Sequence, residues 1–570
     1  MPYRAPAEEL RFILNHVVHF PEVAATERFA DATPETVEAI LSEAAKLCDG
    51  VLAPANRAGD MQGPVLEGGT LRTSPGFRDA YRQIAEGGWV GMAADPEHGG
   101  MGLPFTLAAA VNDMMSGANV ALSLSPMLTQ GQIEALEAHA SDEMKALYLP
   151  RLVSGEWTGT MNLTEPQAGS DVGALATKAV PNGDGTYAVT GQKIFISWGD
   201  HDFGGNVCHL VLARLLDAPA GTRGISLFMV PKFIPDAEGE PGEANSLKVV
   251  SLEHKLGLHG SPTCVMGFEG ATGWLVGEEN RGMAAMFTMM NNARVQVGME
   301  GIGVAEAALQ HAHAFAMERK QGRTPVAGPG TIVDHADVRR MLLEMKAEIF
   351  AARSIALSCA TAIDMQTATG DADWAARAAL LTPLAKAWGT EVGIKVANLG
   401  IQVHGGMGFI EETGAAQFLR DVRVTSIYEG TNGIQAMDLV GRKLMDGGEE
   451  VYRLFDEGEK EAEQARAVLP DLADKCWEAA ECLRDTVDWL VAQELEERFA
   501  GAVPFLAAAA RVTGAFCHLR AAVHEGGDGP RTALARFYVE RLLPETGGLC
   551  AQACAGAAGL YAISAEDLGR

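Results

Sequence analysis

TYAVTGQKIFIS, residues 186–197, is rich in β-branched and aromatic side chains and follows the turn Asn182-Gly183-Asp184-Gly185. A run of this length and composition behind such a turn reads as a strand. Outward from it, CHLVLARL (208–215), GISLFMV (224–230), LKVVSLE (247–253) and CVMGFEG (264–270) repeat the texture, with turn signals between them. Residues 158–279 are therefore expected to form an antiparallel β-domain. On both sides the pattern becomes helical. In TPETVEAILSEAAKLCDGVLAPA (33–55), Thr33 is a suitable N-cap, with Glu35 and Glu38 early in the helix. The Gly-rich turn PEHGGMGLP (96–104) ends one helix and starts another, and long amphipathic segments run from Arg281 to about residue 445. After the polar DGGEE (446–450) a further helical block reaches residue 570. The expected architecture is α+β: an N-terminal helical domain (1–157), a middle antiparallel β-domain (158–279), a C-terminal helical domain (280–446) and an additional helical domain (447–570).

With 570 residues and 47% hydrophobic content, the chain can bury several cores. Its net charge of −29 disfavours nucleic acid and anionic membranes, which need basic patches. Nine cysteines without a CxxC argue against a disulfide framework. Cys550 and Cys554, four apart, read as small buried residues rather than a metal site. The opening MPYRAPAEELRF has no apolar core of a signal peptide, and no uninterrupted apolar run reaches the roughly 18 residues of a membrane span. A cytoplasmic protein is expected.

Several chemistries lack their motifs. The nearest string to a dinucleotide fingerprint, Gly301-Ile302-Gly303-Val304-Ala305-Glu306, lies in a helical segment and ends wrongly. There is no Walker A, HExxH or GxSxG string. His311 and His313 are two apart and point to different sides of a helix. No metal site is expected.

Five segments carry chemistry by their order and spacing. MNLTEPQAGSD (161–171) is a loop with glycine and hydroxyls, followed by the strand KIFIS (193–197). QVHGGMGF (402–409), RDVR (420–423) and IYEGTNGIQ (427–435) come much later. The T-E-P-x-A-G-S-D string, K-x-G-x-x-x-S-x-T at Lys255, Gly257, Ser261 and Thr263, Gln-x-x-Gly-Gly-x-Gly-Phe and Tyr-Glu-Gly-Thr occur together. In these strings the sequence resembles the acyl-CoA dehydrogenase family over nearly the whole of residues 35–445. The resemblance implies a helical domain, a β-domain and a four-helix domain, with FAD between the last two.

Met161, Leu163 and Thr164 match the family's flavin-contacting positions, where a flavin ring needs hydrogen-bond donors as it accepts a hydride. Phe195 and Ser197 fall where the family usually has Trp and Thr beside the ring, so an aromatic surface and a hydroxyl are kept. Thr431 matches a further cofactor position, whereas Gly433 replaces the usual Glu or Gln. Arg319 resembles an arginine that reaches a neighbouring subunit's FAD phosphates, although the aromatic residue usual before Gly322 is absent. Gln402, Gly405 and Gly406 resemble the stretch that closes over the neighbour's FAD adenosine, which implies a homodimer or a dimer of dimers. Ser170 and Arg294 match substrate-side positions, joined by Tyr428 and Gly430 around the base.

Glu429 matches the family's base, which removes the substrate's α-proton while a hydride leaves Cβ. A carboxylate suits this if burial raises its pKa toward working pH. Other family members carry the base at the position of Ala293, which cannot take a proton. The extension and the opening PYRAPAEELRFIL resemble a longer bacterial subgroup, which includes an enzyme acting on 3-methylmercaptopropionyl-CoA in dimethylsulfoniopropionate breakdown. A short or medium acyl-CoA is the expected substrate and electron-transfer flavoprotein the expected acceptor. The extension is expected to pack against the core or a dimer partner. The alternatives are an acyl-CoA oxidase using O₂ and a non-catalytic acyl-CoA-binding scaffold, which should have lost Glu429.

Overall fold

Thr33 caps the helix Pro34–Leu47 by accepting the Thr36 N–H at 3.2 Å, with Pro34 and Glu35 in the first turn. Helices Ala53–Met61, Phe77–Glu86, Phe105–His139 and Asp142–Val153 follow. Between them a small hairpin, β1 (Val65–Glu67) and β2 (Thr70–Arg72), turns through Gly68 and Gly69, both left-handed. The computed structural model describes residues 3–324 and 326–570, so Pro2 of the opening lies outside the described residues.

The strands read from the sequence are β5 (Tyr187–Ser197), β6 (Asn206–Arg214), β7 (Ile225–Pro231), β10 (Leu247–Leu252) and β11 (Thr263–Val276); the structure adds β3 (Trp157–Asn162), β4 (Lys178–Pro181) and a minor hairpin of β8 (Phe233–Pro235) and β9 (Pro241–Ala244). The main sheet has the order β10-β11-β5-β4-β6-β3, and β7 joins β6 to the far end of β11, so the path closes on itself. Val189, Ile196, Val211, Phe228, Met266 and Phe268 fill its interior. The pairing is antiparallel except where β3 runs parallel to β6 over Trp157–Asn162 and Asn206–Val211, and β4 meets β6 in parallel at a single pair. A crossover of some forty residues makes the β3–β6 pairing, and no strand's own periodicity reveals it.

Two compact units divide the chain: residues 42–293, and residues up to Leu41 together with Arg294–Arg570. The opening residues group with the C-terminal helices rather than with 42–157. In that second unit the C-terminal domain has three long helices, Gly282–Glu318, Ala336–Thr369 and Ala372–His404, the first of which begins before Arg294. Two short helices follow, Ala415–Val422 and Asn432–Asp438, the second continued by the π-turn Leu439–Lys443.

Two of the long helices cross at glycines. A Cβ on Gly298 would stand 2.5 Å from the Ala385 carbonyl oxygen, and one on Gly389 2.7 Å from that of Gly298. Gly301 and Gly393 repeat the close approach one turn on. Backbone contact this tight needs residues without side chains.

The additional domain is built on Ala502–His524, among the described residues the one helix long and apolar enough to cross a membrane. Here it is a core helix, 83% buried over its most apolar window, packed against Ala336–Thr369 and the helices of the extension. Its Arg511 is buried between Glu348 at 2.7 Å and Glu545 at 2.8 Å, over the Trp388 ring.

Candidate active site

The segment Ile427–Thr431 has to reverse the chain between a 3₁₀ turn and a helix. Ile427 and Tyr428 both return their N–H groups to the Val424 carbonyl, at 2.8 and 3.2 Å. Thr431 then caps Asn432–Asp438 by accepting the Ile434 N–H at 3.3 Å. The reversal leaves Glu429 at φ 54° and Gly430 at φ 85°. A left-handed glutamate costs roughly 1–3 kcal/mol and persists only where its surroundings impose it. Gln435 is part of those surroundings. Its side-chain amide donates to the Glu429 carbonyl at 3.3 Å and lies 2.9 Å from where a Gly430 Cβ would stand.

The Glu429 side chain is turned inward. Its Oε2 is shielded from solvent and has no hydrogen-bond partner among the described residues. Burial pushes the carboxyl up to about 7, against the pull of Arg294 and Lys386. Arg294 is itself buried on its helix, where the opposite charges of Asp438 and Glu429 act on it. Lys386 donates to Asn432 Oδ1 at 3.0 Å, and Asn432 donates to Thr390 at 3.0 Å and Glu391 at 2.7 Å. Burial pulls Lys386 down to about 8, against Glu429 and Glu300. Tyr428 donates its hydroxyl to Glu300 Oε2.

In the other unit, the loop after β3 is fixed by a buried ion pair. Lys193 Nζ lies 2.8 Å from Glu165 Oε1 and also donates to the Leu163 carbonyl at 2.9 Å. Glu165 further accepts from the Ala176 N–H at 2.6 Å and the Thr177 N–H at 3.1 Å. Burial would raise this carboxyl, but the Lys193 charge and these donors outweigh it and hold it at about 2. Thr164 is tied to the strand through its carbonyl, which accepts the Ile194 N–H at 2.9 Å. One residue on, Phe195 takes φ 61° and leaves its ring 59% exposed beside the half-buried Ser197. Ile194 and Phe195 together oppose the single Val265 of β11, a bulge on β5 itself that produces the kink. Met161 at the end of β3 and Leu163 and Thr164 on the loop that follows are half-buried, and Ser170 is exposed at the loop's end. An exposed aromatic face beside hydroxyls on a rigid loop fits a flat flavin ring.

Of the residues expected from the sequence, Tyr428, Glu429, Gly430, Thr431 and Arg294 come together around one turn. Gln402, Gly405 and Gly406 are exposed where Ala372–His404 ends, with Gly405 left-handed at φ 59°. Arg319 is exposed at the end of its own helix. No hydrogen bond or ion pair among the described residues joins these four to the Glu429 turn. Among the described residues no group of three or more His, Cys, Asp or Glu is placed to hold a metal ion.

Six residues of these clusters had no role in the sequence reading: Glu165, Lys193, Glu300, Lys386, Asn432 and Gln435. Glu300 in VQVGMEGIG and Lys386 in LTPLAKAWG are single charges inside apolar helical runs, which was the available signal.

Comparison with known proteins extends over the whole arrangement. Residues 34–156, 160–271 and 280–445 match the acyl-CoA dehydrogenase N-terminal, middle and C-terminal domains, and 454–564 match the acetyl-CoA dehydrogenase C-terminal-like domain. The 3-methylmercaptopropionyl-CoA dehydrogenase of Ruegeria pomeroyi is 44% identical over 522 residues, 89% of this chain and 88% of its own. A broad-specificity linear acyl-CoA dehydrogenase of Mycobacterium tuberculosis is 36% identical over 78% of this chain and 75% of its own. A solved Bacillus anthracis acyl-CoA dehydrogenase complexed with FAD shares the fold, with a TM-score of 0.75 at 20% identity, covering 99% of this chain and 93% of that one. A glutamate turn, a clamped loop and four matched domains in one order leave one conclusion: the chain belongs to the FAD-dependent acyl-CoA dehydrogenase family.

Proposed function

We propose that the substrate is 3-methylmercaptopropionyl-CoA and that Glu429 is the base of its α,β-dehydrogenation. The observation that carries the base is the buried, unpartnered Glu429 Oε2 on a left-handed turn. A carboxyl in a shielded site with its pKa near 7 is partly ionised near neutral pH and basic enough to take a weakly acidic α-proton. The Glu429 backbone N–H meets no acceptor among the described residues and is the donor available to the thioester oxygen, where charge develops. Arg294 and Lys386 keep the site's field positive and favour the ionised base. FAD, when bound, supplies the hydride acceptor for Cβ. Met161, Leu163, Thr164, Phe195 and Ser197 would hold its ring, Thr431 a further cofactor contact, and Arg319, Gln402, Gly405 and Gly406 the FAD of a neighbouring subunit. Ser170, Tyr428 and Gly430 would flank the substrate.

Support for the substrate is the relative acting on that thioester, whose similarity runs through nine-tenths of both chains. The proposed assembly is a homodimer or a dimer of dimers. Exposed Met407, Phe409 and Ile410, which continue the Gln402–Gly406 stretch, supply apolar surface for it. Electron-transfer flavoprotein is the proposed acceptor and the cytoplasm the proposed location.

The test is turnover of purified holoenzyme with a dye acceptor on a panel from butyryl- to palmitoyl-CoA with 3-methylmercaptopropionyl-CoA. The highest kcat/KM is expected on the methylthio substrate. A tenfold preference for a longer chain would overturn that substrate, and no flavin bleaching with any thioester would overturn the function.

A further inference from the structure

Beside the base lies a second carboxyl that the reaction as derived does not use. Glu300, on the helix Gly282–Glu318, is fully buried where that helix crosses Ala372–His404. Its Oε2 accepts the Tyr428 hydroxyl, and its Oε1 has no hydrogen-bond partner among the described residues. The titratable and charged groups around the pair come from four segments. Arg294 is on the same helix, Tyr428 and Glu429 are on the turn, and Lys386 and Glu391 are on Ala372–His404. Asp438 and Arg442 follow the turn and face Arg294. Lys386 Nζ is committed to Asn432, and neither Glu300 nor Glu429 has a cation within ion-pair distance among the described residues.

Two buried carboxyls that repel one another, neither of them in an ion pair, are costly to charge together, so one keeps its proton. Burial and then the Glu429 charge push Glu300 up to about 8, against the Tyr428 hydrogen bond and Lys386, while Glu429 stands at about 7. Arg294 and Lys386 both draw Glu429 toward its ionised form, whereas Glu300 has only Lys386 and the Tyr428 hydroxyl, so the proton is assigned to Glu300.

We propose that Glu300 is a positioning residue for the base: uncharged, it anchors the Tyr428 hydroxyl and so holds the left-handed turn that presents Glu429. The proposal rests on Glu429 being the base. When Glu300 ionises, a second negative charge enters beside Glu429 and beside the thioester oxygen. Turnover then falls on the alkaline side, as it falls on the acid side when Glu429 gains its proton.

The experiment measures kcat and KM against pH for FAD-loaded wild type, Glu300→Gln, Glu300→Ala, Tyr428→Phe and Glu429→Gln, with infrared spectra of wild type and Glu300→Gln at pH 7. Glu300→Ala and Tyr428→Phe are expected to lose about 10- to 100-fold in kcat with little change in KM, as a misplaced base does. Glu300→Gln, which still accepts the tyrosine hydroxyl, should recover most of that loss and lack the fall above about pH 8. A protonated-carboxyl C=O band present in wild type should be missing from Glu300→Gln. Wild-type kcat in Glu300→Ala, an alkaline limb retained in Glu300→Gln, or no lost carboxyl band would each overturn the proposal. Such a result together with an inactive Glu429→Gln would overturn it alone, whereas full turnover by Glu429→Gln would overturn the base reading and this proposal together.

Discussion

Glu165 and Lys193 illustrate what a residue contributes without touching the chemistry. The strings T-E-P-x-A-G-S-D and KIFIS were both legible, but their pairing was not, because it joins positions 28 apart through a loop whose shape the sequence does not state. The pair is fully desolvated, and Lys193 also holds the Leu163 carbonyl. Removing one partner strands a buried charge, which typically costs about 3–5 kcal/mol. Lys193→Ala is thus expected to lower the urea-unfolding free energy by about 3 kcal/mol and to reduce bound FAD, whereas Lys178→Ala on the exposed face of β4 should do neither. Equal effects of the two substitutions would contradict the role given to the pair. Phe195 marks the other limit of legibility. Its type was readable from the sequence, but its left-handed backbone comes from the β-bulge it belongs to, a property of register.

The crossing of Gly282–Glu318 with Ala372–His404 belongs to the scale of elements. Gly301-Ile302-Gly303 was rejected as a dinucleotide loop, correctly, and Gly301 instead lets two helix backbones touch. Only the partner glycines, some ninety residues later, reveal that purpose. A methyl at Gly389 would fall 2.7 Å from the Gly298 carbonyl oxygen. Overpacking of this kind costs about 1–3 kcal/mol and moves backbone. Gly389→Ala should lower the melting temperature by several degrees and also reduce kcat, since the crossing brings Glu300 and Lys386 to the base; an unchanged melting temperature would show the helices free to separate. The helix start at Thr33 was legible because capping is local. The β1–β2 hairpin was not, its three-residue strands being too short to show a period.

Across the whole molecule the order α, β, α and additional α was legible from texture, whereas the partnership of the two ends was not. Arg531 pairs with Glu9 at 2.8 Å across 522 positions, and His16 stacks on His524 with ring centroids 3.7 Å apart. Opening and extension are therefore one structural addition, which explains why both departures from the shorter family pattern occur in the same chain. The extension packs against the core through Arg511 and through His518, whose Nε2 is 3.0 Å from the Ala347 carbonyl. Burial pushes His518 down to about 4, below the ordinary 6.5, so the unfolded chain binds the proton first. Its contribution to stability is complete above pH 6.5 and is lost as pH falls toward 4, by up to roughly 3 kcal/mol. Urea midpoints measured from pH 7 to 4.5 should fall accordingly, and less steeply in His518→Gln; parallel curves would remove His518 as the cause. The proposed function converges on one atom, the shielded Oε2 of Glu429. Its most direct measurement is anaerobic, single-turnover bleaching of the bound flavin by 3-methylmercaptopropionyl-CoA in wild type and Glu429→Gln. A loss of about 10²- to 10⁴-fold in rate with FAD content unchanged is the expected result for removal of the base, and bleaching at the wild-type rate would contradict it.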